Sequence, residues 1–337
     1  MRTVIVGHRR RDSAEERHRR SSRAHRPTDS SENRGRHSGR RLAAATALVA
    51  ASTVAATARP HAQATTSTTV PEPAVQLPGG GDVLFPGRRL VALYGHPGDS
   101  NLGVLGEQPV DAALQRAGEI AASYVAVSAE PVIPTFEIIT TVASSEAGAD
   151  GDYSLESSLD HIRPWVDAAG AAGFYVVLDL QPGHTDFLTQ AMRYEELLAL
   201  PHVGLALDPE WRLAPGEQHM ADIGQVSADE VSGVAAWLAE LTRRHHLPQK
   251  LLVLHQFRLD MLPDRANIRV EPEIALVVQM DGLGPQETKL ETWQAITAGG
   301  PTGVNFGWKN FYDEDSPLRS PADVVALVPS PVYVSYQ

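Results

Sequence analysis

From Arg88 to the C-terminus, short apolar runs alternate with longer stretches whose apolar residues recur at helical spacing, the signature of repeated βα units. The apolar runs predict strands near Leu90 to Tyr94, Val132 to Glu137, Phe174 to Leu180, Val203 to Asp208, Leu251 to His255, Ile274 to Gln279, Gly303 to Phe306 and Val332 to Tyr336, eight in all. Between them, helices carry their own punctuation. Ser227-Ala228-Asp229-Glu230 reads as a capping box, flanked by Val226 and Val231 as a hydrophobic staple, and Val231, Val234, Leu238 and Leu241 continue as one apolar stripe. A second helix, from about Gln286 to Ala298, buries Leu290, Trp293 and Ile296 and stops at Gly299-Gly300-Pro301, while Ser320-Pro321 sets a cap before a proline at the first helical position.

Eight strands within residues 88–337, a span of 250 positions, predict a single (β/α)8 TIM-type barrel whose last strand lies at the C-terminus without an eighth helix. The alternative, a doubly wound open sheet, lacks its usual mark. Gly95-His96-Pro97-Gly98 does not have the spacing of a glycine-rich phosphate turn, and proline has no amide to offer a phosphate.

Composition divides the rest of the chain. Residues 1–39 are Arg-, His- and Ser-rich with little apolar periodicity and are predicted to be a disordered basic leader. Arg40-Arg41, the Ala/Val/Leu/Thr run from Leu42 to Ala58, and the small residues of Ala62-Gln63-Ala64 predict a signal peptide over 40–64, cut after Ala64 and possessing the paired arginines of a twin-arginine signal without its full motif. The apolar run is too short and too weakly apolar for a membrane span, so no stable span is expected after cleavage. Residues 65–87 are Thr-, Pro- and Gly-rich and are predicted to be an unpacked linker. These features together predict a secreted or cell-wall-associated protein.

Charge follows the same division. The net charge of −12 averages a leader holding 13 arginines with a body from Thr65 onward that has 15 basic and 36 acidic residues, a net charge near −21. Such a body argues against nucleic acid or anionic lipid as partner. No cysteine is present, which removes disulfides, thiolate metal sites and a cysteine nucleophile.

Side chains alternate in and out along a strand, so each predicted strand can be asked what it aims into the barrel mouth. The first offers Tyr94 and His96, the second Glu137, the third Asp179 and Gln181, the fourth Asp208 and Glu210, the fifth His255, the sixth Gln279 and Asp281, and the seventh Asn305 with Lys309 beyond it. Deeper lumen positions (Ala92, Ile133, Val177, Ala206, Val253, Val277) are apolar, so polarity is graded toward the C-terminal end, where barrels of this type carry their chemistry. Individually, Asp179, His255 and Asp281 can each be read as structural. Glu137 is harder to set aside, because an acid in the run Ile133 to Ile139 must be paired if buried. Trp211 and Trp308 near the same edge suit stacking on a sugar ring, or packing of the core.

Gly204-Leu205-Ala206-Leu207-Asp208-Pro209-Glu210-Trp211 resembles the fourth-strand motif of the family 18 chitinase-like glycoside hydrolases, Gly-aliphatic-Asp-aliphatic-Asp-x-Glu-aromatic. The resemblance implies Glu210 as general acid and Asp208 as its inward partner. Ala206 stands where the family motif has its first aspartate, a departure from what that family's substrate-assisted mechanism requires. More broadly, the segment from Arg88 to Gln337 resembles secreted (β/α)-barrel proteins of GC-rich bacteria with no assigned activity.

The leading expectation is therefore a glycoside hydrolase-like protein acting on an extracellular or cell-wall polysaccharide, with Glu210 as acid, its pKa kept high by Asp208 and by burial near Trp211, and Asp281 or Glu137 as second carboxylate, Asp179 in reserve. Tyr94, His96, Gln181, Trp211, His255, Gln279, Asn305, Trp308 and Lys309 are the expected substrate contacts, and no cofactor or metal is expected. That chemistry calls for carboxyl pairs roughly 5–9.5 Å apart across an open cleft, and a closed, filled mouth would count against it. A non-catalytic carbohydrate-binding barrel is the second expectation, favoured by Ala206. A metal-dependent hydrolase is the third: His96, Asp179, Asp208, His255 and Asp281 are suitable ligand types, but the usual zinc-binding histidine motifs are missing. A serine hydrolase has no Gly-x-Ser-x-Gly elbow to rest on.

Overall fold

The structure, a computed structural model, describes residues 75–337. The basic leader, the signal peptide with its cut after Ala64, and the first part of the expected linker lie outside the described residues. Eight parallel strands close on themselves: β1 (Arg89–His96), β3 (Val132–Ala143), β5 (Tyr175–Leu180), β6 (Val203–Leu207), β7 (Lys250–Gln256), β8 (Ile274–Met280), β9 (Asn305–Asn310) and β10 (Tyr333–Tyr336), with β1 pairing to both β3 and β10. This is the TIM-type barrel that the alternation predicted. Two short strands, β2 (Asp99–Gly103) and β4 (Ser154–Glu156), fold back antiparallel on β1 and β3 and were not foreseen.

Helices α1 (Val110–Val125), α2 (Leu159–Ala171), α3 (Phe187–Arg193), α4 (Glu195–Leu198), α5 (Ala228–Arg244), α6 (Gln286–Thr297) and α7 (Pro321–Val325) lie in the connections between barrel strands. The β7–β8 connection has only 3-10 turns, Leu259–Met261 and Arg265–Asn267. At the start of α5 the Ser227 hydroxyl accepts from the Glu230 amide at 3.2 Å, half of the expected capping box. The Glu230 carboxylate instead accepts from the Phe187 amide and the Arg212 guanidinium, both at 3.0 Å, and so ties α3 and the loop after β6 to this helix.

Period-2 alternation sorts the strand residues into two cores. Leu205 and Leu207 of β6 face the helices in the outer core, where Trp293 and Trp308 also pack; Ala206 faces the lumen beside Val177, Val253 and Val277. Gly204, one tier lower, is small for a reason. A Cβ there would lie 2.9 Å from the Tyr175 hydroxyl, which fills that space and accepts from the Leu251 amide at 3.2 Å.

The N-terminal end of the lumen is closed by a segment expected to be free linker. Leu77, Leu84 and Phe85 are buried against Leu90, Ala92, Ile133 and other lumenal side chains. The Leu84 amide donates to Gln249 Oε1 at 2.9 Å, and Arg88 donates to the carbonyls of Pro78 and Gly80, both at 2.6 Å. Composition alone suggested a spacer; three apolar residues spaced to reach one cavity make it a plug.

Candidate functional site

At the opposite, C-terminal end of the lumen the packing is polar. Register explains how the groups meet: Tyr94 pairs with Glu137, Glu137 with Val177, Asp179 with Ala206 and His255 with Gln279, so residues distant in sequence occupy neighbouring tiers of one ring. His255, fully buried, is the hub. Its Nε2 contacts Glu137 Oε1 at 2.9 Å, its Nδ1 contacts Asp281 Oδ2 at 2.8 Å, and Asp179 Oδ1 lies 3.9 Å from Nε2. Lys309 Nζ sits 3.1 Å from Asp281 Oδ1 and 3.6 Å from the centre of the Tyr94 ring. Tyr94 donates its hydroxyl to Asp179 Oδ2 at 3.0 Å. Next to His255 in register, Gln279 donates to Ser335 Oγ at 2.5 Å, and Tyr333 places its hydroxyl beside Glu137.

The electrostatics separate the acids. Burial by itself disfavours a charged His255, but Asp179, Glu137 and Asp281 outweigh it and hold the imidazole pKa well above the ordinary histidine value, so both ring nitrogens donate. Burial likewise opposes an ionised Asp281, yet Lys309 and His255 outweigh it and hold its carboxyl at about 2. Asp208 goes the other way: burial first, then repulsion from Asp179, Glu210 and Asp281, lifts it well above the usual carboxylate range in spite of His255. Asp179 is raised to about 6 by burial and by Glu137, against the pull of His255 and Lys309. Lys309 is itself held above its normal value, because Asp281, Glu137, Asp208 and Asp179 together outweigh its burial.

An oxygen of Asp208, an oxygen of Asp281 and a ring nitrogen of His255 all lie within 4.8 Å of one another. The site thus presents, side by side, a carboxyl whose pKa is raised and a carboxylate whose pKa is lowered. Asp208 caps the 3-10 turn Pro209–Trp211, accepting from the Glu210 amide at 3.3 Å, which places the half-buried Glu210 just outside it.

Glu137, Asp179, Asp208, Asp281, His255, Lys309 and Tyr94 are therefore brought together as expected, with Glu210 adjoining and Gln279 next to His255 in register. Others are not. Trp308 alternates with lumenal Gly307 and Lys309, so it points into the outer core, where it is fully buried against Trp293. Asn305 has the inward parity but begins β9, level with Val277, and donates to the Leu276 carbonyl at 3.3 Å. Gln181 accepts from the Ala143 amide at 3.2 Å and is a link between strands. His96 turns to Ser157 Oγ (3.0 Å) and stacks on His161 (5.5 Å), apart from the cluster. Trp211 is covered, its ring stacked on His219 at 4.9 Å. Two lumenal groups were missed, Tyr333 and Ser335 of β10; the same alternation, applied to the last strand, names both.

The mouth is also narrower than expected. Asp208 is 3% exposed and the Asp281 side chain 8%, so the carboxyl pair stands in a nearly filled opening and not along an open cleft. Two surface hollows, of about 530 Å³ and 200 Å³, lie elsewhere, the first along α1 and α7 with Tyr312 and Tyr336, the second between the β1–β2 hairpin and the loop after β9.

No known family matches the sequence, and no curated protein matches it either. Among solved structures the barrel is similar to a 7,8-dihydropteroate synthase from Vibrio fischeri ES114 (TM-score 0.39, 11% identity, covering 75% of this chain and 88% of that one). It is also similar to a GH5-4 broad specificity endoglucanase from Clostridium longisporum (0.36, 12%, 66% and 75%). A third is the GH20 β-N-acetylhexosaminidase from Streptomyces coelicolor A3(2) (0.35, 11%, 74% and 59%). Likenesses this distant transfer no chemistry to the present chain.

Proposed function

We propose that this is a secreted, glycoside hydrolase-like enzyme acting on an extracellular or cell-wall polysaccharide, with Asp208 as proton donor and Asp281 as nucleophile or base. One observation carries the reading: two carboxyl groups with oxygens within 4.8 Å of each other are shifted in opposite directions by different surroundings, Asp208 upward and Asp281 downward. Glycosidic cleavage needs that division of labour; it also needs an open cleft, and with Asp208 3% exposed a polysaccharide reaches the pair only if the mouth opens. The acid thus shifts inward from Glu210, the position the family 18 resemblance implies, to Asp208; Glu210 helps to raise the pKa of Asp208. Ala206 removes one acid of that motif, but Asp179 is its register partner on the adjacent strand and supplies a carboxyl at the same tier.

The test is hydrolysis of a panel of soluble glucans, chitin oligomers and peptidoglycan fragments by wild type, Asp208→Asn, Asp281→Asn and Glu210→Gln. A loss of about 10²–10⁴-fold in kcat for both aspartate variants, with binding retained, is expected. Binding without turnover by wild type would replace this reading with that of a carbohydrate-binding barrel.

A metal-dependent reading has one observation in its favour, the ligand-like spacing of Asp208, His255 and Asp281. The chain's own cations already serve these groups, however. Both ring nitrogens of His255 are already engaged by carboxyl groups, and Lys309 stands against Asp281. Activity is accordingly expected to survive dialysis against EDTA.

A further inference from the structure

We propose that Lys309 is a positioning residue of this site, a built-in counter-ion that fixes the Asp281 carboxylate, and that it never touches substrate. This rests on the carboxylate reading above and departs from the sequence expectation of Lys309 as a substrate contact. Lys309 is 2% exposed, its ammonium enclosed by the faces of Tyr94 (3.6 Å) and Phe311 (5.3 Å). Of the pair, Asp281 is the more exposed, its side chain at 8% against 2% for Lys309.

The two oxygens of Asp281 face two different cations: Oδ2 meets His255 Nδ1 at 2.8 Å and Oδ1 meets Lys309 Nζ at 3.1 Å. The second contact is an ion pair at 3.1 Å, in which lysine supplies a point charge where an arginine would make a directed fork. Around Asp281 stand His255 from β7, Lys309 from β9, Lys289 from α6, Asp208 at the end of β6 and Tyr94 from β1. Lys289 is itself committed elsewhere, to Asp315 and the Lys309 carbonyl at 2.5 and 2.8 Å. Asp208, Glu137 and Asp179 crowd the same volume with acids. Without Lys309, His255 alone would serve three carboxyl groups, and Asp281 would both lose its second anchor and bind a proton more readily.

The experiment exploits a chain with no cysteine. Lys309→Met and Lys309→Cys are made, and the latter is aminoethylated in denaturant and refolded, which restores an ammonium on a stem of lysine length. The titration of the Asp281 carboxyl is followed by carbon-13 NMR, assigned against Asp281→Asn. The Met variant should raise its midpoint by about 1–3 pH units, and aminoethylation should return it to the wild-type position near 2. The acidic limb of any pH–rate profile should move in parallel. An unmoved midpoint in folded Lys309→Met overturns the proposal, as does a shift that aminoethylation fails to reverse, which would make the residue a matter of packing. Should the Met variant not fold, unmodified Lys309→Cys takes its place: a midpoint raised in the thiol form and restored by aminoethylation supports the counter-ion, and equal midpoints in the two forms overturn it. Absence of turnover by wild type defeats the hydrolase reading but leaves this titration intact, since it needs no substrate.

Discussion

The two ends of the barrel solve the same problem by opposite means. At the N-terminal end the lumen is stopped by Leu77, Leu84 and Phe85, which bring only apolar surface. At the C-terminal end it is filled by Glu137, Asp179, His255, Asp281 and Lys309, all buried and all ionisable. The buried lysines sharpen the contrast. Lys309 is surrounded by carboxyl groups and held charged; Lys250, at the start of β7, has only the carbonyls of Leu200 and Val203 (2.8 Å to the latter), and burial lowers it to about 7. Apolar packing could have closed both ends. Buried ion clusters add little to stability over well-packed apolar side chains, so a charged mouth above an apolar plug points to chemistry at one end only.

The largest expected effect comes from removing the hub. His255→Leu leaves Glu137, Asp179 and Asp281 facing one another with Lys309 as their remaining close cation, and an uncompensated buried charge of this kind costs about 3–5 kcal/mol. Denaturant unfolding measures it. A loss below about 1 kcal/mol would show that the cluster is hydrated and loosely coupled, and the contrast between the ends would lose its force.

Leu84→Ala tests the other end. A fully buried leucine truncated in a packed lumen costs about 2–5 kcal/mol, and the outcome should be a lowered unfolding midpoint with the titration of Asp281 untouched. Independence of the two ends is the point at issue: a double variant with His255→Leu should be additive within about 0.5 kcal/mol if the plug and the cluster do not share partners.

Much of this division can be read in the chain, and the exceptions have physical causes. Glu137 and Asp179 stand in apolar runs at the inward parity, so their meeting followed once the strands were placed. The plug was hidden because three apolar residues in a Gly- and Pro-rich stretch have no period to reveal them; only the cavity they enter makes them core. β9 misled for a related reason. Its polar end, Lys309-Asn310, reads as loop, which shifted the strand toward Gly303, took Asn305 for its outer end and left Trp308 to a binding loop. The opposed pKa shifts of Asp208 and Asp281 are invisible in any one segment, since they depend on burial and on which cations β7 and β9 bring across the lumen.

The smallest effect at neutral pH, and the one that separates the ends by sign, concerns Lys250. Its folded pKa of about 7 lies below an unfolded value of about 10.4. Between these limits the unfolded chain binds more protons, so this residue makes stability rise with pH from about 7 to about 10. His255 does the reverse. Raised above its unfolded value of about 6.5, it contributes stability that is complete below that pH and is lost as pH climbs through its folded pKa. In Lys250→Met two carbonyls lose a donor while a buried amine is exchanged for an apolar stem, opposed terms that leave a net change of about 1 kcal/mol at pH 7. Unfolding free energies measured from pH 6 to 10 should then show the alkaline rise flattened in this variant and the histidine-linked fall left bare. If the alkaline rise persists without Lys250, another group carries it, and the pairing of a lysine lowered by burial with one held charged by carboxylates is wrong.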